Sequence, residues 1–321
     1  QICPERKVRM ALLAEYDALR GLGHACGHCA SGSGSVLAAL AFQAFRDEYS
    51  FGVDIIGTPD EEYIGTKIGM AEKGIFDGYD FVAMVHMGPQ TTAEVQFIAL
   101  DGIGARWHGK PAHAAGEPWS GRNALNAARL FFDATDAMRQ HIIPEARIHG
   151  IIKNGGEASN IVPELSEVEF LTRAPKRTDL DDITEWVKDC ARAAALATRT
   201  EVEIFSLCEP FHDLYISPLE KAAVEEGFRE LGLDYAESIG MTGSSDIGNV
   251  DYHCPAFHPI MSIGKPYTCH TKEFAEAMLS EETHQAIVNV ASLLVTLTAN
   301  LYGKPEVLRA IRDDHKAYRG Y

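Results

Sequence analysis

The sequence predicts an α/β protein: a mostly parallel-sheet domain with helices on both faces, interrupted by an inserted α+β unit of ferredoxin-like order. Three observations carry that prediction. Short, almost wholly apolar runs alternate with stretches of helical period toward both ends of the chain. The middle instead reads strand, helix, strand, strand, helix, strand. Several acids and histidines follow directly on the apolar runs, where an open parallel sheet gathers its ligand-binding loops.

Taken in order, residues 8–15 read as a buried strand running into Tyr16 and Asp17. Residues 36–45 carry Val36, Leu37, Leu40, Ala41 and Phe45, the spacing of a helix. Residues 53–56 form a short strand that breaks at Gly57-Thr58-Pro59, and residues 81–86 another that ends at Gly88-Pro89. A further strand falls at 259–264. In the middle, 95–107 reads as a strand and 121–139 as a helix. Strands follow at 146–153 and 167–173, then an alanine-rich helix at 180–198 and a strand at 201–207. These limits set the insert at 97–208 and split the larger domain into 1–96 and 209–321. A long helix over 282–301 closes the chain.

Composition narrows the function. The chain has 321 residues, 46% apolar and 23% charged, which suits a globular protein with a sizeable core. Its formal charge of −17 argues against nucleic acid, which is held by clustered Lys and Arg. No apolar run is expected to span a bilayer, and the first residues carry no pattern of a secretory leader. Seven irregularly spaced cysteines do not make a disulfide framework, so a reducing, cytoplasmic setting is expected.

The chemistry concentrates in Gly23-His24-Ala25-Cys26-Gly27-His28-Cys29 and Thr58-Pro59-Asp60-Glu61-Glu62. Taken singly, each residue has an ordinary reading: His86 as a structural hydrogen-bonder, Cys26 as a small buried hydrophobe, Glu61-Glu62 as a solvated pair. At successive strand ends they read differently. Cys26, His28, Glu62, His86 and His270 could converge as thiolate, imidazole and carboxylate donors for two divalent ions sharing a bridging group. Adjacent glutamates point in different directions, so one can bind metal while its neighbour serves as general base toward a metal-activated water. Asp17 suits the role of orienting a ligand. A rival chemistry uses the same residues: Cys26-Gly27-His28-Cys29 is a C-x-x-C, as in a thiol–disulfide oxidoreductase. That motif should open a helix, and Ala30-Ser31-Gly32-Ser33-Gly34 reads as a poor helix start. A third reading is a non-catalytic relative that keeps an idle metal site, against which an intact Glu61 argues.

The residues resemble a known family. Glu15-Tyr16-Asp17-Ala18-Leu19, Gly23 to His28, Gly57 to Glu62 and His86-Met87-Gly88-Pro89 look like the M20 metallopeptidases. More narrowly they resemble the amidohydrolase branch that includes aminobenzoyl-glutamate hydrolase and the M20 domain-containing dipeptidases. Gly109 to Ala114, Asn160-Ile161-Val162-Pro163, Gly243 to Asp246 and His270 to Phe274 extend the resemblance over nearly the whole chain. It implies a discontinuous catalytic domain holding two zinc or manganese ions on Cys26, His28, Glu62, His86 and His270, with Glu61 as general base. It also implies an inserted lid that makes a homodimer, with His113 on the oxyanion, from its own chain or its partner's, and Asn160 on the substrate. Arg173 could clamp a substrate carboxylate. The expected substrate is a small-molecule amide, an N-acyl amino acid or dipeptide. Arg20 stands where proline is common, and Cys29 where asparagine or aspartate is common.

Overall fold

The computed structural model describes residues 1–238 and 240–320, apart from the side chains of Met241 and Thr242. The chain forms two compact units, Gln1–Phe97 with Leu214–Tyr321, and Ile98–Asp213. The first begins with β1 (Arg9–Glu15), α1 (His28–Ala44), β2 (Gly52–Thr58), α2 (Thr66–Glu72), β3 (Phe81–Ala83), β4 (His86–Gly88) and β5 (Gln96–Phe97). The second holds β6 (Ala99–His108), α3 (Ala124–Met138), β7 (Arg147–Asn154), β8 (Leu165–Ala174), α4 (Arg177–Thr198) and β9 (Glu201–Ser206). The chain then resumes the first unit with α5 (Pro218–Glu230), β10 (Met241–Gly243), α6 (Ile247–Asp251), β11 (Ala256–Phe257), β12 (Ile260–Ser262), α7 (Lys272–Ala277), α8 (Glu281–Gly303) and α9 (Pro305–Arg319).

In the first unit β1 lies inside a parallel sheet of order β11-β3-β1-β2. Met10 and Leu12 join a core with Phe42 of α1 and Leu293 and Leu294 of α8. Ala11 and Leu13 join a second core with Phe76 and with Ile247 and Val250 of α6. Helices cover both faces, which is why β1 is apolar without alternation. The second unit forms an antiparallel sheet of order β7-β8-β6-β9. There β8 buries Ser166, Val168, Phe170, Thr172 and Ala174 in strict alternation, as a sheet with one covered face requires. Its core includes Trp107, Phe131, Phe170 and Leu180.

Several expected limits differ. The helix expected from Val36 begins at His28, so Ala30 to Gly34 are helical after all. Small residues are needed there for packing. A Cβ on Gly32 would lie 2.1 Å from the Glu15 carbonyl oxygen. Ser31 Oγ donates to Val85 O at 2.6 Å and Ser35 Oγ to Leu13 O at 2.7 Å. The expected strand over 81–86 is two strands: β3 pairs with β1 and β11, while β4 pairs only with β12 among the described residues. The second unit runs on past 208 to Asp213, because Phe211 and Leu100 exchange backbone hydrogen bonds at 3.0 Å and Asp213 Oδ1 accepts from Arg177 N at 2.7 Å. The helix over 282–301 is followed by α9. By length and composition α8 is apolar enough to cross a bilayer, contrary to expectation. Its buried side, with Val290, Leu293, Leu294 and Leu297, belongs to the core of the first unit.

Helix α5 opens with a reciprocal cap. Ser217 Oγ accepts from Glu220 N at 3.0 Å, and Glu220 Oε2 accepts from Ser217 N at 2.6 Å. Burial, with Asp251 adding negative charge, pushes the Glu220 carboxyl up to about 8. A raised carboxyl makes the folded state hold a proton that the unfolded chain has lost, so this group's contribution falls as pH rises from the ordinary carboxyl range toward about 8. Glu220→Gln keeps the cap acceptor and has no such titration. Urea unfolding across that window should show the variant gaining on the parent as pH rises. A constant difference would contradict the assignment.

Candidate metal centre

The loops at the carboxyl ends of the first unit's strands supply the site. Asp17 follows β1. Cys26 sits in the turn before α1, and His28 is the first residue of that helix. Gly27 makes the turn at φ +84, where a Cβ would also meet Met87 Cβ at 2.8 Å. Glu61 and Glu62 follow β2, past Asp60 at φ +63. His86 opens β4, and its Nδ1 lies 2.7 Å from Met87 O. His270, at φ +66, is tied by its backbone N–H to Ala25 O at 2.8 Å.

These side chains converge. Donor atoms of Cys26, His28 and His86 lie within 4.8 Å of one another, as do those of Cys26, Glu62 and His270, and those of His28, Glu61 and Glu62. Cys26 belongs to two of the three sets, with its Sγ 3.4 Å from His86 Nε2. His270 Nε2 is 3.4 Å from Glu62 Oε1. Asp17 reaches two members at once: Oδ1 is 2.9 Å from His28 Nδ1, and Oδ2 accepts from Glu62 N at 3.2 Å.

The donor set fits a divalent cation. His28 Nε2 and Glu62 Oε1 are buried polar atoms without a hydrogen-bond partner, an arrangement that costs about 1–3 kcal/mol each unless something else satisfies them. The local field asks for positive charge as well. Burial works against a charged His28, yet the Asp17 hydrogen bond and the Glu15 and Glu61 carboxylates raise it to about 9. Desolvation and the negative charges of Glu15 and Asp246 push Glu61 up to about 8. Thiolate, imidazole and carboxylate donors together suit a borderline ion such as zinc.

Behind the donors lies a buried ion triad absent from the sequence-based expectations. Lys67 Nζ donates to Glu15 Oε1 at 2.6 Å and to Asp246 Oδ1 at 2.5 Å, and Lys67 N donates to Asp246 Oδ2 at 3.0 Å. All three side chains are almost wholly buried. Burial alone would raise Glu15, but Lys67 and then His28 hold it at about 2. Glu15 Oε2 lies 3.4 Å from His28 Nε2. An acid closing an apolar strand was a legible signal for Glu15; nothing local marks Lys67. Cys269, whose Sγ lies 3.7 Å from Met87 O in the turn that closes on the Cys26 loop, was also missed.

The remaining candidates lie in the second unit. His113 is exposed and pairs with Ile161 in a β-bridge, and its Nδ1 accepts from Gly116 N at 3.0 Å. Ala114 N donates to Asn160 O at 3.0 Å, so His113 and Asn160 sit on adjoining segments. Arg173 is half-buried near the far end of β8, opposite Leu100 and Arg147. The loop that carries Asn160 leaves β7 where that strand pairs with Glu167, about 20 Å along β8 from Arg173 at roughly 3.3 Å per residue.

Carboxylate, imidazole and thiol donors thus meet at the loop ends of a parallel sheet, and comparisons with known proteins place the chain in the amidohydrolase and dipeptidase class of hydrolase. The profile of Peptidase family M20/M25/M40 matches residues 11–296. The chain belongs to that family. It is 36% identical over 319 residues to the Xaa-Arg dipeptidase of Mus musculus, covering 97% of this chain and 74% of that one. It is 37% identical over 321 residues to the Xaa-Arg dipeptidase of Homo sapiens, covering 97% and 73%. Among solved structures it resembles the Bacillus subtilis YXEP protein, a dinuclear metal binding peptidase, with a TM-score of 0.64 at 17% identity over 90% of this chain and 83% of that one.

Proposed function

We propose that the protein hydrolyses the amide bond of a small dipeptide or N-acyl amino acid, using two divalent ions, zinc or manganese. The observation that carries this reading is the pair of donor triplets sharing Cys26, with Glu61 beside them. Bound there, the ions supply Lewis-acid polarisation of the carbonyl and acidify water. Cys26, His28, Glu62, His86 and His270 hold them, and Asp17 keeps the His28 ring in place. Glu61 takes the proton of the attacking water and returns it to the leaving nitrogen. His113 stabilises the oxyanion, in cis or from a partner subunit. Asn160 helps bind the substrate, and Arg173 clamps its carboxylate. The unit Ile98–Asp213 acts as lid and homodimer contact, a role supported by Ile151 and Ile152 exposed on the edge strand β7. Likeness to a Xaa-Arg dipeptidase, together with the charge of −17, favours a dipeptide ending in a basic residue. Free cysteines among the described residues support a cytoplasmic location.

Metal analysis joined to a hydrolysis panel tests the reading. The panel holds Xaa-Arg and β-alanyl dipeptides, N-acyl amino acids and aminobenzoyl-glutamate, each with and without chelator. Cleavage of at least one, lost on chelation and restored by zinc or manganese, is expected. Absence of any chelator-sensitive cleavage would sink the proposal.

The thiol–disulfide alternative loses one argument against it, since a helix does open at His28. It remains the poorer reading, because Cys26 Sγ is engaged with His86 Nε2 at 3.4 Å. Cys29→Ala decides: hydrolysis should stay within about twofold of the parent, as expected for a residue outside the site. Loss of turnover in that variant would revive the alternative.

A further inference from the structure

A second cysteine faces the Cys26 loop besides Cys29, the other cysteine of its own motif. It is Cys269, brought in from the turn before α7. The backbone hydrogen bond from His270 N to Ala25 O, 2.8 Å long, closes that turn onto the Cys26 loop. That bond sets Cys269 and Cys26, the residues next to its donor and acceptor, on facing segments. Both thiols hang over the same two residues of β4: Cys26 Sγ lies 3.4 Å from His86 Nε2, and Cys269 Sγ lies 3.7 Å from Met87 O. Cys29, by contrast, is the second residue of α1, not part of the turn that His270 N closes. Both Cys26 and Cys269 are partly exposed, so a small oxidant can reach them.

We propose that Cys26 and Cys269 form a redox modification site, at which a peroxide closes a disulfide and removes Cys26 from the metal donors. One thiol is oxidised by hydrogen peroxide to a sulfenic acid with release of water. The other attacks the sulfenic sulfur and expels a second water, forming the S–S bond. Two thiols are oxidised and one peroxide is reduced to two waters. A dithiol reverses the step. The disulfide sulfur is a poor ligand, and each of the two donor triplets that contain Cys26 is left with two donors. The metal-release half of the inference rests on Cys26 being a ligand; the cross-link does not.

The test uses the metal-loaded protein. After hydrogen peroxide and alkylation of remaining thiols, peptide mass spectrometry should find a Cys26–Cys269 cross-link, and elemental analysis a loss of bound metal that dithiothreitol and added metal reverse. Cys269→Ser should keep its metal under the same peroxide, while Cys29→Ala should respond like the parent. A cross-link to Cys29, or none, would overturn the pairing and leave Cys26 standing as a ligand. A Cys26–Cys269 cross-link with full metal retention would overturn the switch and count against Cys26 as a ligand. Equal metal loss in Cys269→Ser would also overturn it.

Discussion

Replacing Glu61 with glutamine should leave metal bound and reduce turnover by about 10³-fold, within the range for loss of a general base. The amide matches the carboxylate in shape, so the Glu61–Glu62 loop, anchored by Asp17 on Glu62 N, should hold its course. What disappears is the proposed proton acceptor. Glu61 suits that task by its place, with its carboxylate beside His28 and Glu62 in the donor cluster. Steady-state turnover and elemental analysis of the same preparation separate the two effects. Near-parent activity would remove Glu61 as base, and lost metal would place it among the ligands.

Lys67→Met should lower stability by about 3–5 kcal/mol. Lys67, Glu15 and Asp246 are almost wholly buried, and the lysine is the counter-charge that both carboxylates hydrogen-bond. Burial disfavours the ammonium, but Asp246 and Glu15 keep it charged far above its ordinary range. Removing one member of a buried ion cluster while the others stay costs about 3–5 kcal/mol, more than leaving an exposed pair incomplete. The loss also reaches the metal centre, since Glu15 Oε2 faces His28 Nε2 at 3.4 Å. Denaturant unfolding should show the drop, with Lys67→Arg recovering part of it. A drop under about 1 kcal/mol in Lys67→Met would mean that the triad adds little.

Much of the architecture was legible because its signals are local. The unalternating run Met10-Ala11-Leu12-Leu13 told of a strand covered on both faces, and the alternation through Val168 and Phe170 told of a strand covered on one. Cys26, His28, Glu62, His86 and His270 were legible through their place after apolar runs, since a parallel sheet turns its carboxyl ends to one side. The helix from His28 was misjudged because glycine and serine propensity pointed one way and close packing on Glu15 O and Val290 the other.

The sequence by itself determined the fold class and which polar residues follow the sheet's strands, because spacing and residue chemistry are properties of neighbours along the chain. Only the tertiary structure decided which charges share a buried volume and which turn closes on the Cys26 loop. Lys67 finds Glu15 and Asp246, and the Cys269 turn reaches the Cys26 loop, through contacts between distant segments, set by sheet order and by closures such as His270 N to Ala25 O. Such pairings depend on how loops meet in space, and nothing in the spacing around either partner encodes them.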